Sequence, residues 1–146
     1  MKILITGMSG TGKSTLLAGL AACGVATVDT DYGPWTDDEG CWDQALMTGL
    51  LETPGDLVVS GTVENQGSFR RFFDQVVLLS APLAVMLERV ADRDNPYGRT
   101  TADRERIARH LAEVEPLLRA GADLELDGTL PREELVRRVK GLLDRG

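Results

Sequence analysis

A glycine-rich segment follows directly after a short apolar run at the start of the chain. The run is Lys2–Thr6, and the segment from Gly7 to Ser14 reads GMSGTGKS, which matches G-x-x-x-x-G-K-[ST] in full. Glycines allow such a loop to curl into a nest whose N–H groups point at phosphate oxygens, and the positive end of a following helix adds to the attraction. The motif therefore predicts a strand, a phosphate-binding loop and a helix, in that order.

The residue types of this loop predict a site for Mg·ATP. Lys13 puts a compact positive charge between the β- and γ-phosphates, and the Ser14 hydroxyl is a ligand for Mg²⁺. Because glycine makes up about 7% of average sequences, a chance match in a chain of this length is below roughly one per cent. The nucleotide-binding candidates in this segment are Gly7, Ser9, Gly10, Thr11, Gly12, Lys13, Ser14 and Thr15.

Short apolar runs alternate with helical periodicity along all 146 residues. Strands are predicted at Lys2–Thr6, 25–28, Leu57–Ser60, 76–79 and 124–126, with helices at 14–23, 42–51, 80–93, 101–121 and from Pro131 onward. Without repeats or linkers, this alternation predicts one domain, residues 1–146, with a five-stranded parallel sheet in a three-layer α/β sandwich. Ligands of such folds bind at the carboxyl ends of the strands.

Composition argues against several classes of protein. The net charge of −7 is unlike that of a non-specific nucleic-acid binder and disfavours an anionic membrane surface. No apolar run has the length of a membrane span or a signal peptide. The two cysteines, Cys23 and Cys41, are too few for a disulfide scaffold, and we predict that both are reduced and that Cys23 lies in the core. We expect a cytoplasmic monomer, or else a homodimer, that acts on a small molecule.

Two acidic residues follow the second predicted strand, whereas the third ends without an aspartate. In Asp29-Thr30-Asp31, carboxylates at i and i+2 of an extended segment point to the same side. One can hold a metal-bound water while the other faces a substrate hydroxyl. An ordinary acidic turn is the alternative interpretation.

With these features the sequence resembles the shikimate kinase and gluconate kinase branch of the small P-loop kinases, which are related to adenylate kinase. The resemblance spans nearly the whole chain and rests on the loop at 7–14, on the Asp-x-Asp at 29–31, and on ADLELD at 122–127 with Pro131 after it. It implies the P-loop NTPase/kinase fold with a short lid at about 94–104. It also implies transfer of the γ-phosphate of ATP, with Mg²⁺, to an alcohol group.

The resemblance also implies roles for single residues. Asp29 corresponds to the Mg²⁺-associated aspartate, and Asp31 to the aspartate that binds the substrate hydroxyl and serves as base. Arg89 and Pro131 correspond to the residues that cover the two faces of the adenine, and Pro96 to the proline of the lid. Shikimate kinase has an arginine before that proline where this chain has an asparagine. The nearby arginines predicted to act in transfer are Arg93 and Arg99.

The acceptor side departs from shikimate kinase. Gly61-Thr62-Val63 replaces a glycine triplet, Val114 and Glu115 stand where an arginine is expected before Pro116, and the arginine expected after the second strand is missing. Because those arginines hold a carboxylate in shikimate kinase, we do not expect this chain to be one. Residues 31–43 hold several acids and no Lys or Arg, which predicts a neutral or amino-bearing acceptor. The acceptor-site candidates are Asp31, Trp35, Gly61 and Thr62.

Several alternatives remain open at this stage. The acids at 37–39 can instead cap the next helix. Arg70 and Arg71 reach the substrate or lie on a solvated helix face, while Trp42 is predicted in the core and His110 on the surface. The function classes are a metabolite or natural-product kinase, an ATP-binding ATPase or regulatory protein without an acceptor, and a nucleoside or nucleotide kinase. No guanine-reading N-K-x-D motif is present.

Overall fold

Five parallel strands form one sheet in the computed structural model, which describes residues 1–8, 10–91 and 101–145. The sheet order is β2-β3-β1-β4-β5, so the predicted five-stranded parallel sheet is confirmed. The strands are β1 Lys2–Thr6, β2 Thr27–Asp29, β3 Leu57–Ser60, β4 Gln75–Ser80 and β5 Leu124–Asp127.

Helices connect the strands and cover both faces of the sheet. They are α1 Lys13–Ala22, α2 Gln44–Leu51, a 3₁₀ helix Gln66–Phe72, α3 Leu83–Ala91, α4 Thr101–Gly121 and α5 Arg132–Arg145. The 3₁₀ helix has no counterpart in the sequence prediction. α2 begins two residues later than predicted because the Asp43 side chain accepts a hydrogen bond from the Leu46 N–H at 2.9 Å and caps the helix.

The core lies in two layers, one on each side of the sheet. On one side α1 and α5 pack against β1 and β4, and α5 buries Leu135, Val136, Val139 and Leu143, while Leu142 is half-buried. On the other side Trp42 is 1% exposed and meets Phe69 edge-on, with 5.5 Å between ring centroids. The prediction for Cys23 is wrong, because this residue follows the last turn of α1 and is exposed.

The strand order determines where ligands can bind. β1 lies in the middle of the sheet. The strands β2 and β3 lie on one side of it and β4 and β5 on the other, so the strand order switches sides at β1. In open parallel sheets, the crevice at such a point receives the ligand. The ends of β1, β2 and β3 lie side by side here, since Ser60 pairs with both Ile5 and Asp29. In the described part of the chain, no helix is long and apolar enough to cross a membrane.

Candidate nucleotide and acceptor site

The loop between β1 and α1 has the backbone geometry of an anion cradle. Gly10 and Gly12 have φ angles of 85° and 100°, in the left-handed region that glycine tolerates best. Thr11 turns the loop inward, because its N–H and its hydroxyl both donate to the Met8 carbonyl, at 3.3 and 2.8 Å. α1 begins at Lys13, so the positive end of its dipole faces the loop and favours a phosphate there. Ser9 lies outside the described residues.

Thr62 fixes the start of this loop to the end of β3. Its hydroxyl donates to the Gly7 carbonyl at 2.6 Å and accepts from the Gly7 N–H at 3.1 Å. The Gln66 side chain, in turn, donates to the Thr6 hydroxyl at 3.2 Å. The Lys13 ammonium lies over the loop and donates to the carbonyls of Gly7 and, at 3.2 Å, Met8. The loop anchored by Thr62 therefore also positions the lysine.

Ser14 and Asp29, the two predicted Mg²⁺-binding residues, are hydrogen-bonded to each other. The Ser14 hydroxyl donates to the Asp29 carboxylate at 2.6 Å, and the other oxygen of Asp29 accepts from the Asp31 N–H at 3.1 Å. Among the described residues, no three His, Cys, Asp or Glu side chains form a metal cluster. Mg²⁺ in phosphate-binding sites takes one or two protein ligands and completes its shell with water and phosphate. The pair fits that ion.

A chain of buried hydrogen bonds fixes the backbone between Asp29 and Asp31. Thr30, which lies between them, is buried and donates to the Ser60 carbonyl at 2.7 Å, while the Trp42 indole N–H donates to the Thr30 hydroxyl at 3.0 Å. Gly61 packs against this group, and a Cβ there would lie 2.3 Å from the Thr30 hydroxyl. The contacts of Gly61 are thus packing contacts, which corrects the prediction that it faces the acceptor.

A cavity of about 910 Å³ opens beside the phosphate loop. It brings together four predicted site residues, namely Gly7, Lys13, Asp31 and Thr62, with residues of the 3₁₀ helix and α4. Trp35 does not line it. The Trp35 carbonyl accepts from the Asp43 N–H at 2.7 Å, and its side chain packs on the core. The other lining residues are Leu4, Met8, Val63, Glu64, Gln66, Gly67, Arg70, Val76, His110, Val114, Leu117, Leu118 and Gly121.

A second, smaller cavity of about 410 Å³ lies on the other side of the loop. Arg89 spans its edge and donates to the carbonyls of Gly10 at 3.2 Å and Gly128 at 2.8 Å. Thr15 lines this cavity, as does Leu130, whereas Pro131 is exposed and is not among its lining residues. Arg89 and Thr15 therefore line one cavity beside the phosphate loop, and their roles at the nucleotide, like that of Pro131, stay predictions.

The turn that follows β5 contributes Gly128 and Leu130 to this second cavity, and it carries a negative charge at Asp127. Thr129 donates to the Asp127 carboxylate through its hydroxyl at 2.6 Å and its N–H at 2.8 Å. These bonds hold the pKa of Asp127 below its ordinary value. They order the turn that positions Gly128, whose N–H donates to the Ser80 carbonyl at 2.6 Å.

Three charged or titratable residues with open roles, Arg70, Asp37 and His110, have defined surroundings in the structure. Arg70 lines the large cavity, but its guanidinium donates to the Asp123 carboxylate at 2.6 Å and to the Phe73 carbonyl at 2.7 Å. Asp37 accepts from two backbone N–H groups in its own turn, at 2.9 and 3.0 Å. His110 is exposed, as predicted, but it also lines the cavity.

Most of the predicted lid lies outside the described residues. Arg93, Pro96 and Arg99 fall outside the described residues, as does most of the segment 94–104. Its last part, 101–104, belongs to α4.

Residues missed by the sequence analysis lie mainly on α4. Val114, Leu117 and Leu118 line the large cavity, yet their only signal in the sequence is helical spacing. Gln66 carried a clearer signal, since it is a polar residue shortly after the same strand end as Thr62, which was predicted at the site.

The chain is similar to proteins of one fold. Residues 3–110 match the family model of an AAA domain. The chain matches no curated protein by sequence. Shikimate kinase from Acinetobacter baumannii in complex with shikimate is 22% identical at a TM-score of 0.72, covering 99% of this chain and 93% of that one. A sugar kinase from Janibacter sp. HTCC2649 is 20% identical at a TM-score of 0.60, with coverages of 98% and 94%.

Deoxyadenosine kinase from M. mycoides with bound dATP is 13% identical at a TM-score of 0.65, covering 99% of this chain and 100% of that one. Identities at this level establish the fold, and the match over residues 3–110 establishes the family. The chain therefore belongs to the AAA domain family and has the P-loop kinase fold of the shikimate kinase type.

Proposed function

We propose that the protein transfers the γ-phosphate of ATP to a hydroxyl group of a neutral or amino-bearing small molecule. The observation that carries this proposal is that a single cavity is lined by both Lys13 of the phosphate loop and the Asp31 carboxylate. A phosphate-binding cation and a hydroxyl-binding acid thus face the same space. Phosphoryl transfer depends mainly on positioning and electrostatic stabilisation, which these two groups supply.

In the proposed reaction the acceptor oxygen forms a bond to the γ-phosphorus while the bond from that phosphorus to the bridging oxygen breaks, and ADP leaves. The loop N–H groups and Lys13 stabilise the negative charge of the phosphoryl group. Asp31 orients the acceptor hydroxyl and takes its proton; little base strength is needed, because the transition state is loose. When bound at Ser14 and Asp29, Mg²⁺ neutralises phosphate charge.

The charge of the cavity supports a neutral or amino-bearing acceptor. Asp31 and Glu64 are the carboxylates among its lining residues, and the Arg70 guanidinium is engaged by Asp123. Val114 lines the cavity where the resemblance to shikimate kinase leads one to expect an arginine. An anionic acceptor would meet like charge without a dedicated partner, which disfavours its binding.

The test combines ATP binding with transfer. We expect calorimetry to detect Mg·ATP binding, and γ-labelled ATP to label alcohols in a panel of neutral and amino-bearing compounds and their carboxylated counterparts. Lys13→Ala should lower the rate by about 10²-fold or more, because it removes charge stabilisation in the transition state. Lys140→Ala is the matched control, since Lys140 lies on α5 away from the cavity.

Two results would contradict the proposal. Absence of ATP binding by the wild type would remove its basis. ATP binding and hydrolysis without transfer to any alcohol would instead indicate an ATPase. A clear preference for carboxylated acceptors would leave the kinase proposal standing and refute the argument from charge.

A further inference from the structure

One face of α4 lines the large cavity with apolar side chains. Val114, Leu117 and Leu118 are spaced by three and four residues, which places them on one side of a helix. In the described part of α4, only Ile107 is buried. Leu117 is 72% exposed, more than any other large hydrophobic side chain of the described residues. This face is therefore apolar, accessible and directed at least in part into the cavity.

Other apolar residues complete the same cavity. Val63 lies at one wall and Met8 at the phosphate loop, and the sheet contributes Leu4. Lys13 and Asp31 lie near the strand ends, whereas Arg70 on the 3₁₀ helix and His110 on α4 are polar lining residues elsewhere in the cavity. The stretch of α4 from Val114 to Leu118 nevertheless gives the cavity an apolar wall, and its volume of about 910 Å³ is at the upper end of the range for small-molecule sites.

A fully hydroxylated acceptor fits such a cavity poorly. Its hydroxyls would lose water and find few partners beside the leucines, which costs binding free energy. An apolar body would remove water from Leu117 and Val114, which favours binding in proportion to the buried area. A hydrophobic pocket separates ligands that differ by one methylene by about 10–200-fold.

On this basis we infer that the acceptor is a neutral or amino-bearing alcohol with an apolar ring-sized body, which packs against Val114, Leu117 and Leu118 while its hydroxyl lies beside Asp31. The inference rests on the proposed function and adds the substrate class. The acceptor is a better occupant of this face than a second copy of the chain, because the face is continuous with the concave space that Lys13 and Asp31 line.

The experiment compares matched neutral alcohols in which a ring carries the same hydroxymethyl group. Cyclohexylmethanol and glucose are one such pair, and we expect kcat/KM for the apolar member to be at least about tenfold higher. Leu117→Gln should raise KM for cyclohexylmethanol about tenfold with ATP affinity retained, and Leu117→Met, which keeps an apolar side chain of similar volume, should raise it by much less. Leu46→Gln is the matched control, because Leu46 is 43% exposed on α2 and does not line the cavity.

The outcomes separate this inference from the proposed function. Transfer to polar and apolar members with equal kcat/KM, together with an unchanged KM in Leu117→Gln, overturns the inference and leaves the kinase proposal intact. ATP binding without transfer to any alcohol overturns both. If Leu117→Gln converts a dimer to a monomer in analytical ultracentrifugation and leaves KM unchanged, the face is an interface between copies and the inference is wrong.

Discussion

Thr30→Val tests whether the buried hydrogen-bond chain behind the aspartates stabilises the protein. The substitution keeps the side-chain shape and removes the hydroxyl. The indole N–H of Trp42 then loses its hydrogen-bond acceptor, and it cannot turn to water because the residue is only 1% exposed. An unpaired buried donor costs about 1–3 kcal/mol, and loss of the bond to Ser60 adds about 1 kcal/mol. The Ser60 carbonyl keeps the Thr30 N–H at 3.0 Å. We therefore expect the free energy of unfolding to fall by about 2–4 kcal/mol.

A double-mutant cycle with Trp42→Phe isolates the pair. Phenylalanine keeps a ring next to Phe69 but removes the indole N–H, so no donor is left unpaired when Thr30 is also valine. The double variant should be more stable than the sum of the single effects predicts, by about 1–2 kcal/mol. Urea unfolding followed by far-UV circular dichroism is the assay, because fluorescence would change with the tryptophan itself.

The control for this cycle is Thr53→Val. Thr53 also donates a hydroxyl hydrogen bond, at 2.6 Å to the Leu50 carbonyl, but from an exposed position. Its loss should cost no more than about 1 kcal/mol, since water replaces the partner. Additivity of Thr30→Val and Trp42→Phe within about 0.5 kcal/mol would refute the reasoning, as would a Thr30→Val effect no larger than that of Thr53→Val.

Three further predictions concern the site and its surroundings. Asp31→Asn should leave ATP affinity nearly unchanged in calorimetry and lower kcat by about 10²-fold or more; unaltered turnover would contradict its role as base. Arg89→Met should raise KM for ATP about tenfold, because two hydrogen bonds from a charged group to the nucleotide loops are lost; an unchanged KM would count against it. Arg119 holds the pKa of Glu125 below its ordinary value, so this stabilisation is present above the ordinary carboxyl pKa and disappears as pH falls through the lowered one. The difference in Tm between wild type and Arg119→Met should therefore shrink on acidification, and a constant difference would refute this linkage.

The sheet could be predicted from the sequence because each strand is a short run with a strong local signal. All five residues of β1 are buried, which matches its continuous apolar pattern. The phosphate loop was equally predictable, since glycine positions and the Lys13-Ser14 pair encode a backbone shape. The spacing of Asp29 and Asp31 after a strand predicted two carboxylates at the site, and the structure places the Asp29 carboxylate 2.6 Å from the Ser14 hydroxyl.

The acceptor side could not be predicted to the same extent, because it depends on contacts between distant segments. Trp35 lies in a polar stretch of sequence and was predicted at the acceptor site, yet backbone pairing with Asp43 holds it against the core. Leu117 has the spacing of a core residue and is 72% exposed. Local periodicity shows that a helix has an apolar face, but it does not show whether that face meets the sheet or a cavity.

The two halves of the site therefore differ in how the chain specifies them. The nucleotide half depends on backbone geometry, such as the left-handed Gly12 and the Thr62 anchor on Gly7, and a substitution there disturbs the fold as well as the chemistry. The proposed acceptor half includes side chains of α4, of which Leu117 is largely exposed and contributes little to the core. We expect changes at such positions to cost little stability and to alter acceptor preference. For this reason the fold alone does not identify the acceptor, and the side chains of α4 are the place to look for it.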